Sequence, residues 1–163
     1  MRVYFIRHGK AEEPGSVWDE QERPLTDAGV EEMIRTAHRF RSLGLHFDRL
    51  WTSPLTRARQ TAALLCDAGL ANEMAVTSFL QPGGSFTELR AALGASRGER
   101  SLALVGHLPG LPRFAEILLW GRPTGALVMK KGGVIGVEVG TGASLEGGGT
   151  LFWLTSPRLL LGR

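Results

Sequence analysis

Apolar residues along this chain fall into two rhythms. Short continuous runs, Val3-Tyr4-Phe5-Ile6, Arg49-Leu50-Trp51-Thr52 and Ser101-Leu102-Ala103-Leu104-Val105, are too short for helices and predict buried strands. Between them, Val30, Met33, Ile34, Ala37 and Phe40 recur at helical spacing, followed by Gly44 as a stop. Thr26 or Asp27 can cap that helix. Leu55, Ala58, Ala62 and Leu65 form the stripe of a second helix ending by Gly69. Leu111, Phe114, Ala115 and Leu118 form that of another, over 111–120. Met74 to Thr77 reads as a short strand and 86–95 as a short helix. Residues 10–26 are polar, carry Pro14, Gly15 and Pro24, and read as a long loop, a length often associated with function. Glycine-separated runs at 126–129, 134–139 and 150–154 predict two or three partly antiparallel strands, with a glycine-rich turn over 140–149. Strands alternating with helices over the first 120 residues imply one domain, 1–163, of α/β class: a three-layer α/β/α sandwich with a central, mainly parallel sheet.

Three of the strand ends carry polar residues out of character with their apolar lead-ins. These are Arg7-His8-Gly9, Ser53-Pro54 running to Arg57, and Gly106-His107. In a parallel sheet such ends share one edge, where open α/β sheets bind ligands. Two histidines and two arginines can thus converge from distant points of the sequence. The arginines offer forked donors to phosphoryl oxygens, and a neutral histidine offers a nucleophilic nitrogen. Gly9 allows a close approach of backbone or ligand. Ser53 either orients the pocket or caps a helix. Trp18, Lys10 and Arg23 either line its mouth or are ordinary surface, and Arg59, His38 and His46 read as surface residues.

Composition narrows the classes. A hydrophobic share of 43% and a charged share of 21% are those of an ordinary globular protein. No apolar run reaches the roughly eighteen residues of a membrane helix, and no signal peptide is recognisable at the start, so the expectation is a cytoplasmic protein without a membrane partner. The single cysteine, Cys66, excludes an internal disulfide and reads as a small buried hydrophobe. No Cys/His cluster has zinc-site spacing, and the expectation is neither metal nor cofactor. The net charge is +3, and of the 19 basic residues only Lys10, Lys130 and Lys131 are lysine. Their scatter, without interleaved aromatics, argues against nucleic acid as a partner. Lys130-Lys131, before Gly132-Gly133, reads as a solvated turn rather than a phosphate contact.

Arg7-His8-Gly9, then Ser53-Pro54-Leu55-Thr56-Arg57-Ala58-Arg59-Gln60-Thr61, then Val105-Gly106-His107 resemble the signature blocks of the histidine phosphatase (phosphoglycerate mutase-like) superfamily. Arg23-Pro24-Leu25-Thr26-Asp27-Ala28-Gly29 is similar to a fourth, softer block. The short length and Leu80-Gln81-Pro82 resemble the SixA-type branch, associated with phosphohistidine phosphatase activity. The resemblance implies that His8 attacks phosphorus and becomes phosphohistidine. It implies that Arg7 and Arg57 hold the phosphoryl oxygens, with His107 adding a hydrogen bond and stabilising charge. Larger members place an acidic general acid between the second and third blocks. Here Glu88 is the only carboxylate in 79–90, and it fits equally as a helix-surface residue; Asp19 and Glu20 are further candidates. A missing acid favours phosphoramidates, because a ring-protonated histidine departs neutral whereas an alkoxide needs a proton. The expected partner is a phosphohistidine protein or a small phosphate ester. The competing readings are a small-molecule phosphomonoesterase, a mutase, and a non-catalytic phosphoprotein-binding module.

Overall fold

The computed structural model describes residues 1–140 and 144–162. Strand β1 (Arg2–Arg7) leads through the long loop to helix α1 (Asp27–Ser42), then β2 (Arg49–Thr52), α2 (Thr56–Asp67), β3 (Met74–Val76), α3 (Phe86–Ala95), β4 (Ser101–Gly106) and α4 (Gly110–Trp120). Strands β5 (Val134–Glu138) and β6 (Thr150–Thr155) and the short helix α5 (Pro157–Leu160) complete it. One sheet of six strands runs in the order β3-β2-β4-β1-β5-β6. The first four strands by sequence pair in parallel, and β5 and β6 pair antiparallel.

The apolar runs form strands buried on both faces, which is why they read as continuous rather than alternating. Val3, Phe5, Leu102, Leu104, Ile135 and Val137 pack on one side with residues of α3 and α4. Tyr4, Ile6, Leu50, Ala103, Val105 and Val134 pack on the other, against α1 and α2. Burying each large side chain removes it from water at a gain of roughly 1.5–3 kcal/mol. Helix α1 starts as its sequence predicts: Thr26 accepts the Gly29 amide at 3.0 Å, and the chain leaves the helix through Gly44 at φ +78°.

Of the two or three strands read over 126–154, two form, β5 and β6, and 126–129 form none; residues 78–80, given no element above, form a turn of 3₁₀ helix. Glu116, buried on α4, draws the amides of Thr124, Gly125 and Leu127 onto its carboxylate at 2.5, 2.8 and 2.9 Å. Within 126–129 the Leu127 amide is therefore spent on a side chain, and the Ala126 amide turns to Thr124 Oγ1 at 3.4 Å. Of the glycine-rich turn predicted over 140–149, residues 141–143 lie outside the described residues.

Register is what positions the site. Arg7 is level with Gly106 and Thr52 with Val105, so the carboxyl ends of β2, β4 and β1 stand side by side. The chain turns from each of these ends into the residues singled out above.

Candidate active site

His8 follows β1, His107 follows β4, and Arg57 lies in the first turn of α2; all three are buried. The two imidazole rings are 5.0 Å apart between centroids. His8 Nδ1 lies 2.7 Å from the carbonyl oxygen of Gly9. A carbonyl only accepts, so Nδ1 carries the proton of the neutral ring and Nε2 keeps its lone pair. Burial pushes the His8 pKa down to about 3; the Gly9 bond opposes this, and the charges of Arg57, Arg7 and Lys131 add to it. His107 is likewise lowered to about 3, by burial first and then by His8 and Arg57. Both rings are neutral at ordinary pH.

Ser53 orients His107. Its hydroxyl oxygen lies 2.8 Å from His107 Nε2 and accepts the Leu55 amide at 3.3 Å, so its single proton is available to the ring. The cap of α2 is Leu55, which has no side-chain acceptor, so Ser53 serves the ring rather than capping. The other nitrogen, His107 Nδ1, is buried with no partner, as are Arg7 Nε and Arg57 Nε. Buried polar atoms are seldom left unpaired, and this cluster is the strongest sign of a bound anion's place.

Gly9 has a packing reason of its own. Its amide donates to Thr61 Oγ1 at 3.1 Å, and a Cβ there would meet Met33 Cγ at 2.6 Å. Thr61 in turn donates to the Arg57 carbonyl at 2.8 Å, tying the first block to the second. The family-like Gly29 has a similar reason: its absent Cβ leaves room for the carbonyl of Lys10, 2.0 Å from where that carbon would stand.

Of the candidate acids, Glu88 is exposed on α3, and neither it nor Asp19 bonds to Arg7, His8, Arg57 or His107 through its side chain. Glu20 is the carboxylate the fold brings in. Arg57 donates to its Oε1 at 2.8 Å and to its backbone oxygen at 2.7 Å. Arg23 grips the same carboxylate through Nε and Nη2 at 3.0 and 2.7 Å. The Arg23 hydrogen bond, with Arg57 behind it, holds Glu20 below the ordinary carboxylate range despite some desolvation. Arg23 is thus a buried strut of the long loop, not surface. Trp18 is half-exposed, while Arg59, His38 and His46 lie on the surface as predicted. Cys66 is only partly buried, and desolvation, with Asp67 beside it, raises its thiol pKa.

Arg7 is anchored on the opposite side. Its Nη1 donates to the Met129 carbonyl at 3.0 Å, on the segment that Glu116 holds. Size does not locate this site: a large cleft, about 620 Å³, lies at the other end of the sheet beside Met1, Arg2 and Ser101. Among the described residues no helix is long and apolar enough to cross a membrane, and no cluster of His, Cys, Asp and Glu is set to hold a metal.

A buried, neutral histidine near two arginines and a second histidine, at the carboxyl edge of a parallel sheet, is an arrangement chemically suited to phosphoryl transfer. The model of the histidine phosphatase superfamily (branch 1) matches residues 3–79. An uncharacterized protein of Picosynechococcus sp. is 39% identical over 99% of both chains. Among solved structures, the protein histidine phosphatase SixA complexed with tungstate superposes with a TM-score of 0.85 at 27% identity, over 98% of this chain and 99% of that one. A phosphoserine phosphatase from Entamoeba histolytica shares the fold, with a TM-score of 0.71 at 15% identity over 96% and 98% of the two chains. The chain belongs to the histidine phosphatase superfamily, and it is a phosphatase.

Proposed function

We propose that the protein removes phosphoryl groups from phosphohistidine, through a covalent phosphohistidine formed on His8. The observation that carries this reading is the state of Glu20. The carboxylate nearest the cage is kept ionised by Arg23 and Arg57, so it has no proton to give an alkoxide leaving group. A substrate histidine protonated on its far ring nitrogen needs none. His8 Nε2 attacks phosphorus in line, the P–N bond to the substrate ring breaks, and its electron pair returns to that ring, which leaves neutral. Arg7 and Arg57 neutralise charge on the phosphoryl oxygens. His107 adds a donor through Nδ1–H while Nε2 accepts the Ser53 hydroxyl proton.

The second half uses the same chemistry in reverse. Water attacks phosphorus, the bond to His8 Nε2 breaks, and the water's proton goes to the phosphate released. His8 leaves as a neutral ring because Nδ1–H has stayed on the Gly9 carbonyl throughout. Both leaving groups are thus imidazoles, and neither step calls for an acid.

Phosphate release from a phosphohistidine peptide tests this. Wild type is expected to turn it over, and His8→Ala to lose roughly 10⁴-fold or more in rate. Equal release by the variant overturns the mechanism. Efficient turnover of sugar, nucleotide or glycerate phosphates with none of phosphohistidine overturns the substrate and favours a small-molecule phosphomonoesterase. Acid-labile labelling of His8 excludes a purely binding role.

A further inference from the structure

The three lysines of a chain otherwise built on arginine come together in one place. Lys10, Lys130 and Lys131 line a cleft of about 410 Å³ with Glu32, Arg158 and Arg7. Arg7 is shared with the phosphoryl cage, so cleft and cage adjoin. The turn carrying two of the lysines is fixed to the cage by backbone bonds. The Gly132 amide donates to the carbonyls of both Arg7 and His8, at 3.1 and 3.0 Å, and the Arg7 amide donates to Gly133 O at 3.0 Å. Gly132 adopts φ +69°, and a Cβ there would meet Pro157 Cγ at 2.9 Å and Met33 Sδ at 3.0 Å, so the turn is built into the core beneath it. Lys131 lies near enough for its charge to be felt at His8.

The charge in the cleft is only partly compensated. Glu32 pairs with Lys10 at 3.0 Å. Lys130 and Lys131 make no ion pair with any described residue. Ammonium groups on flexible stems are point charges that adapt to an anion's position, unlike the fixed forks of Arg7 and Arg57. We propose that this cleft is a second anion subsite, which takes a carboxylate or phosphate carried on the same substrate as the phosphoryl group bound in the cage. Resting on the function proposed above, it selects phosphohistidines flanked by acidic side chains. The two lysines raise the local concentration of such substrates and hold them in register, a function the sequence reading of a solvated turn did not give them.

Matched substrate pairs test it. One pair is a phosphohistidine peptide with glutamate flanks against the same peptide with glutamine flanks. The other is phosphoglycerate against glycerol phosphate, which differ in a carboxylate. The readout is the ratio of kcat/KM within a pair, which a partly misfolded preparation lowers equally in both members. Wild type is expected to prefer the acidic member about five- to tenfold at low salt. The preference should shrink toward unity near 1 M salt, where charges are screened over about 3 Å. K130E/K131E should invert it, and K130R/K131R should keep it. A ratio of one in both pairs for wild type, or an unchanged ratio in K130E/K131E, overturns the subsite. A preference confined to the small esters, with no peptide turnover, sustains the subsite and overturns the phosphohistidine reading. A preference in the peptide pair supports both.

Discussion

Arg7 takes its protein partner from a backbone carbonyl, Met129 O, on a segment that buried Glu116 pins from α4. Arg57 takes its partners from Glu20, whose side chain is 58% exposed on the surface loop over 10–26. The first arrangement keeps its carboxylate away from the guanidinium, so no ion pair with a described residue offsets the charge of Arg7. The second lays a carboxylate directly on the guanidinium, so Glu20 and an incoming phosphoryl group share the same fork. One arginine is positioned at a distance, and the other is positioned by a competing anion.

Removing the distant anchor is expected to have the largest effect. Glu116→Ala strands three backbone amides and should lower stability by about 2–3 kcal/mol. It should also cost kcat roughly 10- to 100-fold, because Met129 O no longer fixes Arg7. Glu116→Gln keeps one acceptor oxygen and should cost about half as much stability. Urea unfolding and steady-state kinetics measure both. Full activity in Glu116→Ala shows that the segment holds Arg7 unaided. The pH dependence has a definite sign. Desolvation raises the Glu116 pKa, but the amides of Leu127, Thr124, Gly125 and Ala126 outweigh it and leave it below the ordinary 4.5. Its contribution is therefore present above pH 4.5 and is lost as pH falls through the depressed value.

The convergence of Arg7, His8, Arg57 and His107 was legible because strand ends in a parallel sheet share an edge, and the apolar runs marking those strands are unmistakable. The two anchors were not. Glu116 sits inside the run Phe114-Ala115-Glu116-Ile117-Leu118, and an acid amid buried neighbours was a usable signal. What it binds lies up to eleven residues away, in a segment whose apolar content imitated a strand. Asp19 and Glu20 were indistinguishable by composition. Loop geometry separates them: the Asp19 carbonyl caps the turn by accepting the amides of Glu22 and Arg23, and Glu20 faces Arg57. Gly9 and Ser53 were marked for the right neighbourhood, but their tasks depend on tertiary neighbours, Met33 and His107, that no local pattern encodes.

A pH effect, read without any substitution, separates the two histidines from their surroundings. Both are lowered from 6.5 to about 3, chiefly by burial. The unfolded chain takes up protons near pH 6.5 while the folded chain does not, so these rings reduce stability progressively from pH 6.5 down to about 3. Nitrogen NMR on the free protein should find His8 and His107 neutral at pH 5, with the proton of His8 on Nδ1. A midpoint near 6.5 for either ring shows that the cage is wet, and removes the burial on which the neutral nucleophile rests.

The smallest effect falls on the competing anchor. Glu20→Gln keeps one acceptor oxygen toward Arg23 and Arg57 but removes the charge that a phosphoryl group must displace or tolerate. An exposed ion pair is worth up to about 1 kcal/mol, so inorganic phosphate should bind this variant roughly two- to fivefold more tightly. The loss in kcat should be slight, since the loop still holds Arg57 through the Glu20 backbone oxygen at 2.7 Å. Raised salt should narrow the difference by screening. Isothermal titration with phosphate decides the sign. Weaker binding by the variant shows that Glu20 orients Arg57 more than it competes with phosphate, and the two arginines are then held for the same purpose by different means.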